Sequence, residues 1–272
     1  MKTVLTILKK IAPACVLILL LIPFSLNAQS TTASDTIQIA GETIGIFIPS
    51  RQVAQQQIEQ TGADLQSELR DYVRQMRSQD FISDNVVPTV DISLEDEAGV
   101  EALRVTYSYS LLNDTLKFQT DDFGLGNYRV DQSNALMVTL SLMRSNIEGI
   151  LSRFFLQPKD VSIIITGSAD AVPIRSALAY GGEYGPWIAD DCIVDGVQRG
   201  MFVSTDQGIS DNQTLAFVRS YAVRNYIKEQ IEPLKASHVS FYHRANVSPY
   251  SGGRYRRVII ELVIHNVFDQ AE

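Results

Sequence analysis

Asp170 stands where a buried strand leaves its sheet. In VSIIITGSADAVPIR, residues 161–175, Ile163, Ile164, Ile165 and Thr166 read as a buried strand that stops at Gly167, and the carboxylate follows three residues later. Ligands of an α/β sheet gather outside the carboxyl ends of its strands, so an acid at that point is placed to meet one. Asn212 and Arg219 are seven residues apart in NQTLAFVRS, nearly two helical turns, which puts both on one face of a helix with Asn212 as its natural N-cap.

The other candidate groups carry less chemistry. His238 and His243 are five apart on an expected strand, so they face opposite sides and make no simple metal pair; His265 stands alone. The segment ADDCIVDG collects Asp190, Asp191 and Asp195 near Cys192, but its spacing fits no ordered calcium loop, and it reads as a loop with solvated acids. Tyr180, Tyr184 and Trp187, set among Gly181, Gly182 and Gly185, either form an aromatic surface or fold back on the domain. No HExxH and no nucleophile elbow is present, so the reading is a non-enzymatic protein with no metal and no cofactor.

At the N-terminus, Lys2, Lys9 and Lys10 precede IAPACVLILLLIPFSL, an apolar run of 16 residues, and the small residues of SLNAQS suit cleavage after Ala28. Residues 1–28 are read as a secretory signal. A retained anchor is the competing reading, against which stand Pro13, Pro23 and a run shorter than the ~20 residues of a membrane span. Cys15 opens the run, whereas a lipid-bearing cysteine would follow it.

Removing those 28 residues takes away three lysines and no acid, so the formal charge goes from −8 to −11 and nucleic acid is excluded as a partner. Cys192 is then the single cysteine, and the exported chain must rely on its core, which 45% apolar residues over 272 positions can supply.

Residues 29–103 read as a small α+β region of unknown role. It has two short strands around Gly41, a helix from the Ser50 cap with Val53, Ile58, Leu65, Leu69, Tyr72 and Val73 at near-helical spacing, and two strands joined by a polar turn at 95–99. From 104 to 268 the pattern becomes strand (DTLKFQTDD), helix (Leu136, Leu140, Met143, Ile147, Ile150 and Phe154 on one face) and strand (VSIIITG). A long irregular segment, 171–211, precedes the second helix and two closing strands, SHVSFYHR and RRVIIELVIH. This β-α-β-α-β-β order predicts a two-layer α/β (α+β) sandwich with its helices on one face and 171–211 as an excursion.

Three pieces of that second region resemble the OmpA-like peptidoglycan-binding family, which includes the flagellar stator protein MotB. GSADAVP resembles the family's Gly-His-Thr-Asp segment in its stator form, NQTLAFVRS its Asn-x-x-Leu-Ser-x-x-Arg-Ala helix start, and YRRVIIEL its Asn-Arg-Arg-Val-Glu-Ile last strand. Ser168 and Ala169 stand in place of the His and Thr, Tyr255 in place of the Asn, and the family's short loop is replaced by 171–211.

The resemblance implies noncovalent binding of peptidoglycan through the zwitterionic carbon of stem-peptide diaminopimelate. Asp170 would accept from the ammonium and Arg219 hold the carboxylate in a bidentate fork, with Asn212, Arg256 and Asp121 as further ligand residues. It implies a periplasmic protein, free or associated with the outer membrane. The alternative is a structural subunit of an envelope or secretion assembly that engages a protein partner through 29–103 or 171–211.

Overall fold

The structure is a computed structural model that describes residues 35–39, 42–46, 51–97, 100–112 and 122–267. The expected signal peptide, the Ser50 cap, Asp121 and most of the expected strand DTLKFQTDD lie outside the described residues.

The strands β1 (Asp35–Ile39) and β2 (Glu42–Ile46) pair with each other as an antiparallel two-stranded sheet. Helix α1 (Arg51–Ser78) buries Ala54, Ile58, Leu65 and Leu69, a stripe spaced by fours and sevens that meets the sheet along one helix face. Arg77, in its last turn, donates to the Val86 carbonyl at 2.9 Å and so fixes where the next strand begins. Strands β3 (Val86–Glu97) and β4 (Val100–Leu111) form a long antiparallel hairpin.

Helix α2 (Asn134–Glu148) starts where the Ser133 hydroxyl accepts from the Leu136 N–H, and it buries Leu136, Leu140, Met143 and Ile147. It ends at Gly149, so Ile150 and Phe154, expected on the same helical face, fall after it; Phe154 sits in a 3-10 turn, Ser152–Phe155. Strand β5 (Asp160–Ala169) contains Val161–Gly167, as expected, and β6 (Trp187–Val194) and β7 (Val197–Ser204) follow. Helices α3 (Asn212–Gln230) and α4 (Glu232–Lys235) lead to β8 (His238–Val247) and β9 (Val258–Ile264).

β3 to β9 form one open seven-stranded sheet in the order β3-β4-β9-β5-β8-β6-β7. β5, β8 and β6 run parallel, while the remaining pairs are antiparallel. Strand residues alternate between faces: Val105, Tyr107, Ile163, Ile165, Ile260 and Leu262 join α1, α2 and α3 in one core, while Thr106, Ser108, Ile164 and Tyr242 line the opposite, more open face. The architecture is a mixed α+β two-layer sandwich.

Two expectations change. The line between residues 103 and 104 passes through β4, and β3 and β4 belong to the same sheet as the rest. Segment 171–211 is not an irregular excursion: its β6–β7 hairpin extends the sheet beside β8 and packs Ile188, Cys192, Val194 and Val203 against α3. The turn is Asp195-Gly196, both at positive φ, between the paired Val194 and Val197, which is the two-residue connection that matches strand twist.

The site depends on how closely α3 lies on β5. A Cβ at Gly167 would fall 2.0 Å from the Ala216 carbonyl oxygen, so this strand position accepts no side chain, and the helix positions opposite it, Ala216 and Ser220, are small.

Candidate functional site

β4 and β5 end, and β9 begins, at the same edge of the sheet, where the 248–257 connection is sewn to β5 by backbone bonds. Ser168 N–H donates to the Arg257 carbonyl, Ser248 N–H to Ala169 and Ala171 N–H to Tyr250, at 2.9 to 3.0 Å. Four charged side chains meet there. Asp170, the residue after β5, is 4% exposed; its Oδ2 accepts from the Gly252 N–H at 3.1 Å and lies 3.7 Å from Arg256 Nε. Arg256 Nη2 is 3.9 Å from Asp122 Oδ2, so one guanidinium stands between two carboxylates.

Arg219 is fully buried. Its Nε donates to the Asn127 carbonyl at 2.8 Å, its Nη1 to the Ser168 carbonyl at 2.6 Å, and its guanidinium carbon lies 4.5 Å from the Phe123 ring centre. Nη2 is buried with no hydrogen-bond partner. Burial lowers the Arg219 pKa to about 10; Arg256 pushes the same way, while Tyr109, Asp170 and Asp122 oppose it. The group remains charged at neutral pH, and the quartet Asp122, Asp170, Arg219 and Arg256 balances to zero.

Asn212 and Arg219 do point from one face of α3 toward the end of β5, as their spacing predicts. The Asn212 side chain donates to the carbonyls of Asp170 at 2.8 Å and Val172 at 3.0 Å, holding the backbone that carries the acid. It is not the N-cap. Asp211 takes that place, with an extended backbone and its carboxylate accepting from the Thr214 N–H at 2.8 Å. Ser210, Asp211 and Asn212 are three cap-competent residues in a row, so residue types alone leave the start ambiguous by one position. Nothing in the sequence singles out Asp122, the neighbour of the candidate Asp121, and Phe123 and Asn127 carry no signal of their own.

The remaining candidates are structural. Asp190 pairs with Arg224 at 2.5 Å and Asp191 accepts from the Gln198 amide at 2.7 Å, both from strand β6 and not from a loop. Cys192 is buried, and burial pushes its thiol up to about 12. Among the described residues no cluster of three or more His, Cys, Asp or Glu side chains is placed to hold a metal. His238 is exposed and His243 buried, on opposite faces as expected.

His243 Nδ1 lies 3.0 Å from Ser220 Oγ and its Nε2 3.6 Å from Asp190 Oδ2, the residue types of an acyl-transfer triad. The Ser220 hydroxyl is fully buried and donates at 2.7 Å to the Phe217 carbonyl of its own helix, which leaves no presented nucleophile.

Of the aromatic residues before β6, Tyr180 folds back, its hydroxyl donating to Gly185 at 3.0 Å, while Tyr128 donates to Glu183. Trp187 and Phe202 stay outside, 61% and 51% exposed, with rings 6.5 Å apart. A cavity of about 270 Å³ lined by Ile227, Leu234, Val239 and Phe241 lies near the start of β8 and contains none of the candidate residues. No helix among the described residues is long and apolar enough to cross a membrane. No protein-family model matches the sequence, and no curated protein is significantly similar to it.

Proposed function

We propose that the chain is an exported, OmpA-like binder of peptidoglycan that holds the zwitterionic carbon of a diaminopimelate residue between Asp170 and Arg219, without turning it over, and ties an envelope component to the cell wall. The observation that carries this reading is the Arg219 Nη2 group, buried and without an acceptor inside a cluster that also contains Asp170. A buried charged N–H left without an acceptor is costly, and a ligand carboxylate would satisfy it. The mixed α+β sandwich supports the reading, with β4, α2, β5, α3, β8 and β9 in that order along the chain once β1 to β3, α1, the β6–β7 hairpin and the short α4 are set aside.

The test is a pull-down with insoluble sacculi. Wild type is expected to sediment with the wall, and Asp170→Asn and Arg219→Lys to remain in solution. Melting curves verify that both variants are folded.

A second reading is a protein partner met through the hairpin, favoured by the exposed Trp187–Phe202 pair on the terminal β6–β7 hairpin of the sheet. Under that reading Trp187→Ser with Phe202→Ser loses the partner, and sacculus binding is absent from wild type as well.

A further inference from the structure

The charged cluster is shut in this structure: Phe123 and Asn127 cover Arg219, and the β8–β9 connection covers Asp170. Both contacts on Asp170 Oδ2, the Gly252 N–H and the Arg256 guanidinium, come from the β8–β9 connection. The two ends of that connection are tied to β5 by Ser248 N–H to Ala169 and Ser168 N–H to Arg257; between them, beyond Asp170, its tip is held by Ala171 N–H to Tyr250 and by turn bonds within itself, Tyr255 N–H to Gly252 and Arg256 N–H to Gly253. Tyr250 is 64% exposed, and Gly252 has a φ of +135°, a conformation other residues rarely adopt.

Arg256 itself is held loosely. Its Nε is buried with no hydrogen-bond partner, and its distances to Asp170 and Asp122, 3.7 and 3.9 Å, are those of ion pairs without hydrogen bonds. Two arginines from different elements therefore keep buried N–H groups that nothing accepts, beside an acid whose cationic partner comes from within the protein.

Resting on the peptidoglycan reading, we propose that residues 248–257 are a lid and that Arg256 is the internal stand-in for the ligand's ammonium group. On binding, the ammonium replaces Gly252 N–H and Arg256 at Asp170, and Arg256 turns to the ligand carboxylate beside Arg219 Nη2. Because the quartet is neutral when closed, only a centre carrying both signs can enter without leaving a buried charge uncompensated. A ligand with a carboxylate alone or an amine alone is rejected, so Arg256 sets specificity for the zwitterion.

Ala171 and Tyr250 are backbone neighbours outside the cluster, and cysteines at both, Ala171→Cys with Tyr250→Cys, lock the lid by a disulfide. Cys192 is buried and does not compete. With a diaminopimelate-containing tripeptide as probe, the oxidised variant is expected to bind at least about tenfold more weakly than wild type, and dithiothreitol to restore it, since only the open state is competent. Equal binding in the oxidised and reduced forms overturns the lid. If wild type fails to bind the tripeptide, the peptidoglycan reading fails, and amide exchange in wild type decides the lid. Gly252 and Ala171 amides exchanging far faster than those of Ile163 to Ile165 support it, and equally slow exchange overturns it.

Discussion

Two groups of four charged residues, each with two acids and two arginines, sit on different parts of the same sheet. Across the open face, Arg104 bonds Glu95 at 2.7 Å and Glu261 at 2.5 Å, and Arg244 reaches Glu261 at 3.1 Å over the intervening β5. These side chains are 18 to 42% exposed, so solvent supplements every contact. At the carboxyl ends of β4 and β5 the same charges are more deeply buried, their ion pairs are longer, and guanidinium N–H groups go unused. Equal composition with opposite completeness separates the roles. The ladder is closed by hydrogen bonds and stabilises the sheet, whereas the buried quartet keeps guanidinium N–H groups without acceptors, the feature on which the proposed binding role rests.

The largest effect is expected at Arg219, the most buried of the eight side chains. Arg219→Met leaves the Asn127 and Ser168 carbonyls unpaired and the acids with one arginine fewer, and should cost about 3 to 5 kcal/mol in urea denaturation. Arg104→Met in the ladder should cost about 1 kcal/mol, because water replaces much of what is lost. Similar losses for the two would erase the distinction.

Acid sensitivity comes next, and it centres on His243. Burial holds His243 at about 4, with Arg224 adding to the effect and Asp190 opposing it. The unfolded chain therefore takes up this proton first, near the ordinary 6.5. Stability is complete above that pH and falls as pH drops toward 4, by at most roughly 3 kcal/mol. His243→Gln should flatten the profile in that window, and melting curves at stepped pH show whether it does.

The smallest effect concerns the hairpin surface: Trp187→Ser with Phe202→Ser should leave stability within about 0.5 kcal/mol, as the rings lie outside the core. A larger loss measured by urea denaturation would mean that the pair is structural and not a docking surface.

What could be read from residue order is uneven for physical reasons. Local periodicity carried β5 and α3, and the seven-residue spacing carried the shared face of Asn212 and Arg219. The β6–β7 hairpin was missed because the acids of ADDCIVDG outweighed its Asp-Gly turn, although that turn between valines is the stronger local signal. The attachment of β3 and β4 to the sheet is made by β9, whose Ile260 to Ile264 pair with Tyr107 to Leu103 from far along the chain, and no local pattern encodes it. The pairing of Asp170 with Arg256, and the carbonyls that hold Arg219, are likewise products of tertiary packing.

In the proposed function Asp170 meets a ligand's positive charge inside the buried quartet. Calorimetry of a diaminopimelate-containing tripeptide against wild type and Asp170→Asn tests it most directly, because the amide preserves shape and still accepts from the Gly252 N–H. Wild type is expected to bind and the variant to lose at least about tenfold in affinity, as a charge-assisted hydrogen bond loses its charge. Equal affinity of the two proteins for the tripeptide would contradict it.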